Sequence, residues 1–251
     1  MMYPDLHGKT AIVTGGSRGL GAALCVGLAK HGVRVVVCAR DPDGVGRTVD
    51  AIRRDGGTAI GVAADCSKED DVARLRRTSE QSFGPPELLA VFAGGNGEPT
   101  PTLETPIGRW NAVIEANLST TFLVLRDLLP DMCAHRRGAV VTMSSAAARQ
   151  PAKSSAAYAA AKGAIITLTR HLAAELAPTG VRVNCLAPSA IVTGKLAAAP
   201  QQVRDELAAA FPLGRLGSPD DVTGAALFLL SDASSWITGA TMDIAGGKIY
   251  S

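Results

Sequence analysis

Short runs of β-branched and aliphatic residues alternate with longer stretches of mixed polarity along nearly the whole chain. The runs Thr10–Thr14, Arg34–Cys38, Ala59–Ala63, Leu88–Phe92, Ala139–Met143, Arg182–Leu186 and Thr241–Ile244 are short, apolar and bounded by turn-forming residues, which predicts seven strands. Between them helical patterns begin near Gly19, Gly46, Glu69, Ile107, Ala156 and Pro219, with glycine and proline at the turns. Strand and helix in regular succession imply right-handed βαβ crossovers. The expected fold is α/β, a single-domain Rossmann-type doubly wound parallel sheet of about seven strands flanked by helices, over residues 1–251. No linker or repeat interrupts it. One alanine- and glutamine-rich stretch, Leu196–Ala210, reads as a short helical lid within a substrate-covering segment at about 190–214.

Composition narrows the classes. A chain of 251 residues is ordinary for one α/β domain. Hydrophobic residues make up 47% and aromatic ones only 4%, which suits helices packed closely on a sheet rather than an aromatic recognition surface. Twenty-five basic against twenty-three acidic residues leave a net charge of +2, which argues against nucleic acid or an anionic membrane as partner. Apolar runs such as Phe122–Leu125 and Ala225–Leu230 are far too short to span a bilayer, and residues 1–8 lack the basic start and apolar stretch of a secretory signal. A cytoplasmic location is expected. Cys25, Cys38, Cys66, Cys133 and Cys185 are odd in number and widely spaced, as reduced core thiols would be, and His7, His31, His135 and His171 are equally scattered, so no metal site is expected.

The first strand runs directly into Thr14-Gly15-Gly16-Ser17-Arg18-Gly19-Leu20-Gly21. A strand that turns sharply into a helix N-terminus offers free amides and a favourable dipole to a pyrophosphate, and glycines let it approach the backbone. Gly15, Gly19 and Gly21 have the spacing G-x-x-x-G-x-G, not G-x-G-x-x-G; a tight turn without a ligand is the blander reading. After the second strand, where a carboxylate would favour NAD, the chain has Cys38-Ala39-Arg40. Arg40 and Arg18 supply forked donors suited to a 2′-phosphate, so NADP(H) is favoured over NAD(H). Asp41 and Asp43 are alternative surface partners for Arg40.

Tyr158 and Lys162 are four residues apart and share a face if helical; Ser145 precedes Tyr158 by thirteen residues, behind a strand-like run. A free phenol titrates near ~10, and a neighbouring ammonium favours the phenolate. Lys162 is therefore expected to lower the Tyr158 pKa, letting Tyr158 exchange a proton with an alcohol or carbonyl oxygen. Ser145 would donate to that oxygen. Ser144 is adjacent, but strand alternation sends the two side chains to opposite faces, and the spacing to Tyr158 favours Ser145.

The set Thr14-Gly15-x-x-x-Gly19-x-Gly21, Asp65, Asn117, Ser145, Tyr158-x-x-x-Lys162, Asn184-x-x-x-Pro188 and Thr193 resembles the short-chain dehydrogenase/reductase family over practically the whole chain, with 3-oxoacyl-thioester reductases close in pattern. The resemblance implies hydride transfer between a nicotinamide cofactor and a secondary alcohol or ketone, with Ser145, Tyr158, Lys162 and Asn117 as the catalytic set. It implies that Asp65 meets the adenine, that Asn117 anchors a water relay and that Thr193 holds the carboxamide. Gly15, Ser17, Arg18, Gly19, Leu20, Gly21, Arg40, Asp65, Cys66, Ala93, Gly94, Tyr158, Lys162, Pro188, Ile191 and Thr193 would then contact the cofactor. A homotetramer built on the helices beginning near Ile107 and Ala156 is also implied.

Three departures stand out. The chain has Val91-Phe92-Ala93-Gly94 where relatives carry Asn-Asn-Ala-Gly, Pro188-Ser189 for Pro-Gly, and Ala245-Gly246-Gly247 for Asp-Gly-Gly. The first removes two polar contacts, so the strand must satisfy its backbone differently; at the second, serine is strained unless the backbone avoids a positive φ. The cleft walls are expected at Gly95–Glu98, Ala146–Gln150, Ser189, Ala190 and Lys195–Phe211, mostly small residues, with Arg149 and Lys195 either meeting an acidic substrate or solvated at the surface. Two rival readings remain at this level: a catalytically silent NADP(H)-binding sensor, and a structural subunit of a hetero-oligomer.

Overall fold

The computed structural model describes residues 3–95 and 99–249. Strands β1 (Thr10–Thr14), β2 (Arg34–Ala39), β3 (Thr58–Ala63), β4 (Leu88–Val91), β5 (Gly138–Met143), β6 (Val181–Pro188) and β7 (Thr241–Ile244) form one seven-stranded sheet in the order β3-β2-β1-β4-β5-β6-β7. Every pairing is parallel. The helices are α1 (Gly19–Ala29), α2 (Pro42–Arg54), α3 (Glu69–Phe83), α4 (Ile107–Ile114), α5 (Thr120–Ala134), α6 (Ala156–Leu176), α7 (Gly194–Ala197), α8 (Gln201–Ala208) and α9 (Pro219–Leu230). The expected α/β architecture and all seven strands are present.

Side-chain alternation along each strand divides the core in two. Val35 and Val37 of β2 join the cluster containing Leu24 and Leu28 of α1, Val49 and Ile52 of α2, and Val222 and Leu229 of α9. Val36 and Cys38 join the opposite cluster, with Leu75 of α3 and Leu125, Leu128 and Met132 of α5. A strand buried on both faces cannot alternate apolar with polar, which is why these runs read as continuously hydrophobic.

Several strand ends shift by one or two residues from the expected ranges, and three helical features differ. Helix α2 starts at Pro42 rather than near Gly46, because proline is already shaped for a first helical position. The helix expected from Ile107 is broken: residues Glu115–Ser119 form a π-turn between α4 and α5. The Asn117 Nδ2 donates to the Val113 carbonyl at 2.9 Å and the Thr120 hydroxyl to the Glu115 carbonyl at 2.9 Å, and these side-chain bonds accompany the wider turn. The lid stretch holds two short helices, α7 and α8, rather than one.

The strand order reverses direction between β1 and β4, so the segments leaving their C-terminal ends diverge and open a crevice. The two strand ends nevertheless touch. Gly15 lies at φ 72°, and a Cβ there would stand 2.8 Å from the Phe92 carbonyl oxygen, a contact no side chain tolerates. The Thr14 hydroxyl accepts from the amides of Phe92 and Ala93, both at 3.1 Å. This bond pair answers the departure at Val91-Phe92: backbone amides beyond β4 are satisfied from β1. Ser189 has no positive φ and donates its amide to Ile244 at 3.0 Å, so serine is unstrained there. Gly246 and Gly247 keep positive φ values of 56° and 82°, and the Leu213 amide bonds Gly246 at 3.1 Å, which ties the end of segment 190–214 to the turn after β7.

Thr14→Val keeps the shape of the side chain and removes the acceptor for two partly buried amides. It is expected to destabilise the protein by about 1–3 kcal/mol in urea unfolding; a wild-type midpoint would show that the Thr14 bonds are dispensable.

Candidate active site

A cleft of about 830 Å³ lies at the C-terminal ends of β1, β2, β3 and β4. Its walls include Gly15, Ser17, Arg18, Gly19, Leu20, Gly21, Arg40, Asp65, Cys66, Ala93 and Gly94, so eleven of the sequence-assigned cofactor positions face one space. A further wall comes from α4 and the π-turn that follows it: Arg109, Ala112, Val113 and Ala116 recur at helical spacing on one face. Sequence reading missed this wall. The periodicity was present, but residues so small and mixed in polarity give no apolar stripe. Asn96, Gly97 and Glu98, expected in the substrate wall, lie outside the described residues, as does the side chain of Lys195.

The glycine turn is built for close approach. A Cβ on Gly21 would collide with the Gly15 carbonyl, which brings the first turn of α1 against the end of β1. Thr193 faces this turn from the far side, its methyl 3.8 Å from where a Cβ of Gly19 would sit. Pro188 ends β6 and is buried there. The Ile191 side chain is buried in the core and packs over Gly217, so only its backbone remains to meet a ligand.

Arg18 and Arg40 are both exposed at the cleft. Asp41 bonds neither of them: its carboxylate lies 3.6 Å from Arg47 on α2. Asp65 accepts from the Ser67 amide at 3.1 Å and the Ser67 hydroxyl at 2.8 Å. Burial pushes its carboxyl pKa up, but these bonds, together with Arg40 and Lys68, outweigh it and hold the value below the ordinary one.

Beyond β5 the proposed proton-handling side chains converge. Ser155 caps α6 by accepting from the Tyr158 amide at 3.2 Å, which places the phenol in the first turn. One turn on, Lys162 is 4% exposed; its Nζ donates to the Met143 carbonyl at 2.9 Å and sits 5.5 Å from the Tyr158 ring centroid. The Ser144 hydroxyl donates to the Lys162 carbonyl at 2.8 Å and is buried in that role. Ser145 accepts the Ala147 amide at 3.2 Å, and of the pair it alone acts on the Tyr158 phenol, tending to lower its pKa. Asn117 is fully buried; its Nδ2 donates to Gly95 and Val113, both at 2.9 Å, and its Oδ1 accepts the Gly95 amide at 3.2 Å. Gly94 joins the two groups: a Cβ there would lie 2.6 Å from Asn117 Oδ1 and 3.5 Å from Lys162 Nζ.

The electrostatics correct one expectation. Burial pushes the Tyr158 phenol above its ordinary value of 10, opposed only by the Ser145 hydrogen bond. Burial also pushes Lys162 down from 10.5 to about 8, opposed by the neighbouring Cys185. Lys162 does not lower the Tyr158 pKa among the protein groups alone, because its ammonium is directed at the Met143 carbonyl and both groups share the desolvation. Arg149 is a second correction. It forms a two-pronged ion pair with Asp243, both bonds 3.0 Å, and is neither a free anion receptor nor a solvated surface charge.

A family model described as enoyl-(acyl carrier protein) reductase matches residues 15–248. The chain belongs to the short-chain dehydrogenase/reductase family. Enzymes of this family are oxidoreductases acting on CH–OH or C=O groups, and so is this one. Glucose 1-dehydrogenase 2 of Bacillus subtilis (strain 168) is 35% identical, over 98% of this chain and 96% of its own length. A 3-oxoacyl-[acyl-carrier protein] reductase from Brucella melitensis, solved with bound NAD, superposes with a TM-score of 0.90 at 34% identity, covering 99% of this chain and 94% of that one. An NAD(P)-dependent gluconate 5-dehydrogenase from Beutenbergia cavernae, solved with NADP at low occupancy, gives 0.90 at 37% identity, covering 97% and 98%. The three act, by their names, on a sugar, an acyl thioester and a sugar acid.

The depressed Lys162 pKa carries a stability consequence of definite sign. Between about 8 and 10.5 the unfolded chain holds a proton at Lys162 that the folded chain has released, so this group makes stability rise with pH through that window. Buried Cys25, Cys38 and Cys185 and the Tyr158 phenol, all raised, act oppositely at alkaline pH. Comparison with Lys162→Met isolates the lysine: the stability of the variant relative to wild type is expected to fall steadily from pH 8 to 10.5 in urea melts. A pH-independent difference would contradict the burial effect.

Proposed function

We propose that the protein is an NADP(H)-dependent oxidoreductase that reduces a ketone, or in reverse oxidises a secondary alcohol, with Ser145, Tyr158, Lys162 and Asn117 as its catalytic set. One observation carries this reading: a Cβ built on Gly94, a residue of the cleft wall, would stand 2.6 Å from Asn117 Oδ1 and 3.5 Å from Lys162 Nζ, so the cleft reaches to where the proton-handling side chains begin. The residues present fit such a cofactor. The crowded glycine turn at Gly15 and Gly21 leaves bare backbone at the N-terminus of α1, suited to a pyrophosphate. When bound, the nicotinamide supplies or accepts the hydride.

In reduction, the hydroxyls of Ser145 and Tyr158 hold the carbonyl oxygen and stabilise the negative charge that grows on it. The raised pKa keeps Tyr158 protonated at neutral pH, which suits it to give that proton. Lys162, still largely charged at neutral pH with a pKa near 8, stabilises the phenolate left behind. Asn117 commits both amide protons to Gly95 and Val113 and one lone pair to the Gly95 amide; its other carbonyl lone pair serves a water that returns the proton. Retention of this full set supports an enzyme over a silent sensor.

Arg40 and Arg18 support the NADP(H) preference, each exposed at the cleft, with Asp41 engaged by Arg47. The substrate wall is made of small residues such as Ala146 and Ala147, and Arg149 is tied to Asp243, which favours a neutral reacting end over a carboxylate held by Arg149. The segment 190–214, with α7 and α8, is proposed as the lid. Exposed Ile107 on α4 and Phe122 on α5 supply apolar surface for a homotetramer built on these helices and α6.

Fluorescence titration with NADPH and NADH, followed by an absorbance assay over ketones and 3-oxoacyl thioesters, tests the reading. NADPH is expected to bind about tenfold or more tightly than NADH, as one charge-assisted hydrogen bond allows, and Arg40→Ala to erase the difference. Tighter binding of NADH would overturn the cofactor preference.

A further inference from the structure

Cys38 and Cys66 are 28 positions apart in sequence, yet their sulfurs meet at 3.6 Å. Cys38 is the penultimate residue of β2, and Cys66 follows β3, the neighbouring strand; the Ala64 amide bonds the Ala39 carbonyl at 2.9 Å and keeps the two strand exits together. Both side chains are buried, but Cys66 also forms part of the cleft wall, between Asp65 and Ser67. The other three cysteines have no sulfur partner of this kind: Cys25 and Cys185 are buried singly, and Cys133 is bonded by the Thr179 hydroxyl.

We propose that Cys38 and Cys66 are an oxidisable dithiol, converted by hydrogen peroxide to a disulfide that reshapes the end of the cleft formed by Arg40, Asp65 and Cys66 and weakens dinucleotide binding. The asymmetry of the pair assigns the roles. The thiol of Cys38 is held protonated by its bond to Cys66 and by burial, while the bond from Cys38 stabilises the Cys66 thiolate against burial and the charges of Asp65 and Asp71, with a smaller contribution from Arg40. Of the two residues, Cys66 is also the one that lines the cleft. Its thiolate attacks one peroxide oxygen; the O–O bond breaks, hydroxide leaves and is protonated to water, and Cys66 becomes a sulfenic acid. The Cys38 sulfur, losing its proton, then attacks the Cys66 sulfur; the S–O bond breaks and a second water departs. Two thiols are oxidised by two electrons, and one peroxide is reduced to two waters.

A disulfide requires its sulfurs at about 2.05 Å, so the pair must close from the observed 3.6 Å. That movement draws the Cys66 segment toward β2 and shifts Asp65 and Ser67, which flank it on the cleft wall. By linkage, whatever the disulfide costs the cofactor, the bound cofactor costs the disulfide. NADPH is therefore expected to shield the pair from peroxide.

The disulfide half of the proposal stands on the sulfur geometry alone; the binding half rests on the cofactor reading above. Full-length protein is exposed to a modest excess of hydrogen peroxide, alkylated, denatured and mapped by peptide mass spectrometry. The expected product is a Cys38–Cys66 cross-link two hydrogens lighter than the reduced pair, with Cys25 and Cys185 still alkylatable. Cys38→Ser is expected to stop at a dimedone-reactive sulfenic acid on Cys66, and Cys66→Ser to lose the rapid oxidation. No cross-link in the wild-type protein, or earlier oxidation at Cys133, overturns the dithiol. Oxidised protein is expected to bind NADPH about tenfold more weakly, within the usual range of coupling between sites, with recovery in dithiothreitol and no peroxide effect in Cys66→Ser. A cross-linked protein with unchanged affinity overturns the coupling. Reduced protein that fails to bind NADPH or NADH overturns the cofactor reading, while the mass map still decides the dithiol.

Discussion

The approach of β1 to the segment leaving β4 is the constraint on which the rest of the structure depends. Gly15 brings the two backbones to a distance that excludes any side chain, and the Thr14 hydroxyl ties the amides of Phe92 and Ala93 across the gap. From that junction the chain on one side proceeds into α1 and on the other toward Gly94, and the cleft is the space between. A doubly wound sheet opens a crevice at its switch point by topology. Here the floor of the crevice is fixed by one hydroxyl and one missing Cβ.

A second set of bonds carries that floor across to the reacting side chains. Asn117, seated in a π-turn, grips Gly95 by both donor and acceptor, and a side chain on Gly94 would run into Asn117 and approach Lys162. Lys162 and Ser144 then fasten α6 to the end of β5, in one direction through Met143 and in the other through the Lys162 carbonyl. Tyr158 is held by neither bond directly. Its position follows from the Ser155 cap and the helix that Lys162 anchors. Burial is what these bonds offset: an ammonium 4% exposed needs a carbonyl acceptor, and the cost of placing it there appears as its depressed pKa.

The strands were legible because each is a short run dominated by apolar residues between turn signals, and Tyr158, Lys162 and Ser145 because helix spacing and strand alternation are local rules. The glycine turn was legible for the same reason. What escaped depended on contacts distant in sequence. The Cys38–Cys66 meeting spans 28 positions and the Arg149–Asp243 pair 94, and neither leaves a periodic trace. The π-turn is accompanied by side-chain bonds of Asn117 and Thr120 to nearby backbone carbonyls, which hydrophobic periodicity does not register. The direction of the Tyr158 shift was misread because proximity to Lys162 could be inferred from spacing, whereas the burial that overrides it belongs to the assembled fold.

The most direct test of the central claim separates holding the cofactor from moving the proton. NADPH affinity and ketone turnover are measured side by side for wild type and Tyr158→Phe, which removes one hydroxyl from the site. The account predicts affinity little changed and turnover reduced about 10²–10⁴-fold, the usual contribution of a positioned proton donor. Turnover near wild type in the phenylalanine variant would contradict it.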